Sequence, residues 1–171
     1  MSTNLLQSGV SIIALALTLS ACAMTPAVAP SSAIDPPGAE RAMTLVASGV
    51  QTYVCKFDAQ HHPEWVFRSP QATLYDASGR AVVTHSAGPS WKAEDGSRIV
   101  GHAIAQWPSS TKASVPQLLL ETHSTGANGI LSSVRYVQRV NTMGGVMPSQ
   151  ACSTADEVGS SPYLAEYVFY K

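Results

Sequence analysis

The 171-residue chain predicts an all-β fold: an antiparallel barrel or β-sandwich of about eight short strands with little helix. Three observations carry that expectation. Charged residues make up only 12% of the chain, and Ser, Thr, Gly and Pro fill the spaces between apolar stretches, a texture of all-β exported domains rather than helical ones. Those apolar stretches repeat with period two, the repeat of a half-buried strand. Turn residues recur about every ten positions, the spacing of successive hairpins.

The elements follow in order. Residues 39–47 are the one helix candidate. Residues 51–57 alternate, with Tyr53, Cys55 and Phe57 on one face. After His61-His62-Pro63, Trp65-Val66-Phe67 reads as a second strand. Residues 72–75 and 81–85 read as a hairpin around Asp76-Ala77-Ser78-Gly79-Arg80, where Asp opens the turn and Gly supplies the positive φ. Asp95-Gly96-Ser97 is a second turn, feeding a strand from Arg98 toward Trp107. Leu118-Leu119-Leu120 fits a strand buried on both faces and is short for a helix. Residues 130–140 form the longest strand candidate. Val134, Tyr136, Gln138 and Val140 take one face; Arg135, Val137 and Arg139 take the other. The last strand, 163–170, sets Tyr163, Tyr167 and Phe169 opposite Leu164, Val168 and Tyr170.

The N-terminus addresses compartment. Residues 10–19 are apolar, about the length of a signal h-region and short of the roughly 20 residues that span a bilayer. They lead into Leu19-Ser20-Ala21-Cys22, which resembles a lipobox with Cys22 as the lipidated residue. The first nine residues carry no Lys or Arg, a departure from the usual charged start. Ala21-Cys22-Ala23 also fits an ordinary export cleavage site, so periplasmic or secreted soluble protein is the alternative. Residues 1–21 are expected as a lipoprotein-type signal peptide, 22–38 as a proline-rich flexible tether, and 39–171 as one β domain. The expected location is the bacterial cell envelope, with the membrane as partner through lipid on Cys22.

Cysteine count agrees with export. Once Cys22 is lipidated or removed, Cys55 and Cys152 remain as an even pair in an oxidising compartment, and a disulfide between them is expected. With 10 basic and 11 acidic residues there is no basic stripe, so no nucleic-acid partner is expected.

Six blocks, taken in order, resemble one known family. They are Gly49-Val50-Gln51-Thr52-Tyr53-Val54-Cys55, the stretch from Trp65 to Asp76, His85-Ser86-Ala87-Gly88-Pro89-Ser90-Trp91, Asp95-Gly96-Ser97, Tyr136-Val137-Gln138-Arg139 and Thr142-Met143-Gly144-Gly145. The family is bacterial and fungal and is known only as domain of unknown function 3455. The resemblance covers residues 38–171 and implies a small exported protein. It brings no activity and no site residues. Members usually carry an aromatic where this chain has Ser86.

Two clusters are candidate ligand-binding positions. The block from His85 to Ser97 gathers His85, Trp91 and Asp95 around a Gly-Pro turn, a set able to line a pocket mouth; a plain structural turn is the competing reading. Arg135 and Arg139, spaced to share a strand face, could grip an anion if that face looks into a barrel; a solvated outer face is the competing reading. The five histidines have no metal-site spacing, and neither a G-x-S-x-G elbow nor G-x-G-x-x-G is present. No catalytic residue, metal ligand set or cofactor is assigned. The residues favour a small-molecule, glycan or protein binding module over an enzyme. An envelope hydrolase and a ligand-free interaction module are the alternatives.

Overall fold

A computed structural model describes residues 35–171. Residues 1–34, and with them the signal peptide, Cys22 and most of the tether, lie outside the described residues. Eight antiparallel strands close into a barrel in simple sequence order, β1 pairing with both β2 and β8. They are β1 (Arg41–Phe57), β2 (Pro63–Tyr75), β3 (Ala81–Ser86), β4 (Ser90–Ala93), β5 (Arg98–Trp107), β6 (Gln117–Ser124), β7 (Tyr136–Gly144) and β8 (Val158–Tyr170). Each strand is joined to the next along the chain, so neighbours in sequence are neighbours in space. No helix occurs among the described residues.

The alternation read from the sequence is the alternation of the barrel wall. Tyr163, Tyr167 and Phe169 of β8 are buried inside with Leu45 and Ala47 of β1, Leu74 of β2, Val83 of β3, Trp91 and Ala93 of β4, and Ile99 of β5. Eight strands leave an interior that side chains can just fill. The aromatic residues do most of the filling. Trp91 lies edge-on to Tyr167 and Phe169 at centroid separations of 5.9 and 6.4 Å.

Several expectations are corrected. Residues 39–47 are not helical: the segment opens β1, which runs 17 residues. Ala, Met and Leu favour helix locally, but pairing to β8 from Arg41, joined by β2 from Val46, overrides that preference. Trp65-Val66-Phe67 and residues 72–75 are not two strands but parts of the 13-residue β2, which continues through a bulge opposite Thr52 and Tyr53. The strands are therefore not uniformly short. Residues 130–133 turn, so the strand expected to start at Ile130 begins at Tyr136. Ser90–Ala93 is a strand that the sequence reading missed.

Cys55 and Cys152 form a disulfide, with Cα atoms 5.8 Å apart. It ties β1 to the long connection between β7 and β8.

Candidate functional site

Unequal strand lengths build the site. β3 has six residues and β4 four, while β2 has 13 and β5 has ten. β2 pairs with β3 only over Ala72–Tyr75. β5 pairs with β4 only from Arg98 to Val100. The rest of β2 and β5 therefore face each other across a window in the barrel wall, above the turn at Ala87, Gly88 and Pro89. Behind the window lies a cavity of about 330 Å³, lined among others by Phe67, Arg68, His85, Trp91, Arg139 and Tyr167.

The walls are mostly apolar, supplied by Pro70, Ala103, Leu118 and Leu120 as well as the aromatics. That composition, with a few convergent polar groups, is typical of a small-molecule site, and the volume lies at the low end of the range for one.

Arg139 is the chemically decisive residue. It stands on β7 between Leu118 of β6 and Tyr167 of β8, on the inner face of the wall. The residue is 9% exposed, yet no carboxylate pairs with it among the described residues. Its Nε and Nη2 both donate to the carbonyl of Pro116, at 3.1 and 2.8 Å. This bond pins the connection between β5 and β6 to the wall, and a structural role ends there. A neutral donor could hold a carbonyl equally well, and taking an unpaired cation out of water costs several kcal/mol. The Tyr167 hydroxyl is a further side-chain hydrogen-bond partner of the guanidinium, and among the described residues none of its nitrogens is both sealed from solvent and unpartnered. No Asp or Glu lines the cavity, and Arg68 at its mouth adds a second positive charge.

His85 stands beside it. Its ring stacks on Trp91 at 4.6 Å with an interplanar angle of 11° and tilts against Tyr167 at 5.1 Å. Its Nδ1 lies 2.9 Å from the carbonyl oxygen of Ser90. A carbonyl can only accept, so Nδ1 carries the proton. Burial drives the His85 pKa down to about 4; the bond to Ser90 opposes it, and the Arg139 charge adds a smaller push downward. The ring is therefore neutral at physiological pH, with a free lone pair on Nε2. Burial likewise raises the Tyr167 pKa, opposed by the Arg139 charge.

Of the residues singled out from the sequence, His85, Trp91 and Arg139 meet in this cavity. Asp95 and Arg135 do not. Asp95 Oδ1 accepts from the Ser97 amide at 2.9 Å and its hydroxyl at 2.6 Å, and Oδ2 accepts from the Ile130 amide at 2.7 Å. These bonds, led by the one from the Ser97 hydroxyl, hold the Asp95 pKa below its ordinary value. Asp95 is a turn residue that fastens the β4–β5 connection to the β6–β7 connection. Arg135 is exposed and precedes β7; its amide donates to the Tyr170 carbonyl at 2.7 Å. Sequence reasoning missed Phe67, Arg68, Leu118 and Tyr167. For Tyr167 the period-two aromatic row of β8 already marked the inner face, but nothing local marked the window.

Hydrolytic chemistry would need His85 to bridge a carboxylate and a hydroxyl. Its Nδ1 instead bonds a backbone carbonyl. Among the described residues no three His, Cys, Asp or Glu side chains come together as a metal site requires. What the arrangement offers is a positive, donor-rich floor behind an apolar opening.

Neither the curated proteins nor the solved structures contain a match to this chain. A family model described as a protein of unknown function (DUF3455) matches residues 36–171, which include every strand of the barrel. The chain thus belongs to the DUF3455 family.

Proposed function

We propose that this protein is an exported binding module of the bacterial cell envelope, tethered through lipid on Cys22, that holds a small anionic ligand in the window cavity. One observation carries the ligand reading: the Arg139 guanidinium is buried in the cavity lining without a carboxylate partner among the described residues. An anion supplies the missing counter-charge, and the planar guanidinium fork suits a carboxylate or phosphate. The apolar walls select a ligand with an apolar body. Export is supported by the apolar segment before Cys22 and by the Cys55–Cys152 disulfide, since such bonds persist in oxidising compartments.

Titrating small carboxylates against the full-length protein, read by tryptophan fluorescence and calorimetry, tests the ligand reading. Trp91 lines the cavity and should report occupancy. Saturable binding that weakens in Arg139→Met is expected; binding that ignores Arg139 would refute the reading. The tether is tested separately. Cys22→Ala should move the protein from the membrane to the soluble fraction, and membrane retention would refute lipidation at that residue.

A further inference from the structure

We infer that the ligand of the window cavity is an apolar-bodied acid that also carries a hydrogen-bond donor, its anionic end on Arg139 and its hydroxyl or N–H on Nε2 of His85. This rests on the anion-binding reading above and narrows it.

The argument begins with what His85 can do. The bond from Nδ1 to the Ser90 carbonyl at 2.9 Å fixes the tautomer and leaves Nε2 as a pure acceptor. Among the described residues nothing bonds Nε2, and it is not one of the sealed, unpartnered atoms. The ring stacks on Trp91 and tilts against Tyr167, and all three line the cavity with Arg139. Charged groups around it agree on its state. Arg139 is the cation beside it, and no carboxylate lines the cavity to hold a proton on the ring. The cavity thus has donors at Arg139 and an acceptor at His85. A simple carboxylate satisfies only the first. It leaves Nε2 dry and unpaired once the opening is filled, and an unmade buried hydrogen bond costs about 1–3 kcal/mol. An ether or a second carboxylate opposite Nε2 sets lone pair against lone pair. A hydroxyl or N–H satisfies both ends.

Size limits the skeleton. A sphere of 330 Å³ is about 9 Å across, room for a six-membered ring with two polar substituents. Hydroxylated monocyclic acids fit this space and carry both groups.

The test titrates the full-length protein with benzoate, the three hydroxybenzoates and the matching methoxybenzoates. At least one hydroxybenzoate should bind about tenfold tighter than benzoate, and its methoxy counterpart should bind no better than benzoate. His85→Asn retains a donor for the Ser90 carbonyl, removes the acceptor at Nε2, and should erase the preference. If that variant does not fold, the hydroxy–methoxy comparison on the unaltered protein decides alone. Equal binding of benzoate and every hydroxybenzoate, with affinity still lost in Arg139→Met, would overturn the donor inference and leave the anion site standing. Failure of every acid to bind would overturn both.

Discussion

Removing the Cys55–Cys152 bond is the perturbation whose size can be worked out most directly. The two cysteines are 97 residues apart in sequence, so the bond closes a loop of most of the folded chain. In the chain-entropy account, a cross-link over about 100 residues removes roughly 4.7 kcal/mol of conformational freedom from the unfolded state. The folded barrel does not need the bond to hold β1, which is paired along its length to β2 and β8. The effect therefore falls on the unfolded chain. Both cysteines are almost wholly buried, so Cys55→Ala/Cys152→Ala adds a small packing loss of about 1 kcal/mol. The double variant should lose about 6 kcal/mol. At about 2.1 cal/mol/K of unfolding entropy per residue, a barrel of this size should melt about 20 °C lower. Guanidinium unfolding followed by tryptophan fluorescence and circular dichroism measures this. The m-value should rise, because the freed chain exposes more surface. The native spectrum and anion affinity should stay as they were. A loss under about 1.5 kcal/mol would refute the reasoning, since it would mean the reduced chain is already held compact.

Three other outcomes follow from the same geometry. Arg139→Met should weaken anion binding about 10- to 100-fold, the value of charge-assisted hydrogen bonds, while the melting temperature of the ligand-free protein changes little; relief of a buried charge offsets the two lost bonds to Pro116. Calorimetry on a fold-checked sample decides it, and unchanged affinity would discard Arg139 as a ligand contact. His85 makes stability pH-dependent. Its folded pKa, near 4, lies below the ordinary value of 6.5, so between those values the unfolded state binds more protons. Stability is full above pH 6.5 and falls as pH drops toward 4, by about 3 kcal/mol. Arg139 and Tyr167 are the other titratable or charged groups facing the ring, and neither favours its protonation. Denaturant midpoints at pH 7 and pH 4 should differ less in His85→Asn; an equal difference would refute the assignment. Finally, a Cβ at Gly49 would lie 2.6 Å from the Cα of Ala72 and closer still to the Gln71 carbonyl oxygen. Gly49→Ala should cost about 1–3 kcal/mol by forcing β1 from β2, detectable as a lower denaturant midpoint.

The inner face was legible where polarity and period agreed. β8 reads directly, because its inner residues are aromatic and its partners on both sides are long. The N-terminal part of β1 was not legible, because Ala, Met and Leu carry helical preference and only pairing from 120 residues away cancels it. β4 has four residues between a proline and an Asp-Gly turn, too few for a period to register. Arg139 shows a subtler case. Period two put it on the face of Val137, which is the inner face, but an arginine there reads equally well as an outward one. The window itself has no local trace. It arises from a difference in length between strands, and strand length is decided by which partners are present.

The brevity of the β3–β4 hairpin makes the barrel's aperture adjustable. Each strand residue advances about 3.3 Å, so two more on each side of the Ala87–Pro89 turn would raise the sill by about 7 Å. A hairpin two residues shorter would expose Trp91 outright. The turn at the sill adds almost nothing to the packed interior, so its length can vary while the remaining wall keeps its register. One scaffold could in this way admit ligands of graded size, with the cationic floor unchanged and only the height of the opening selecting among them.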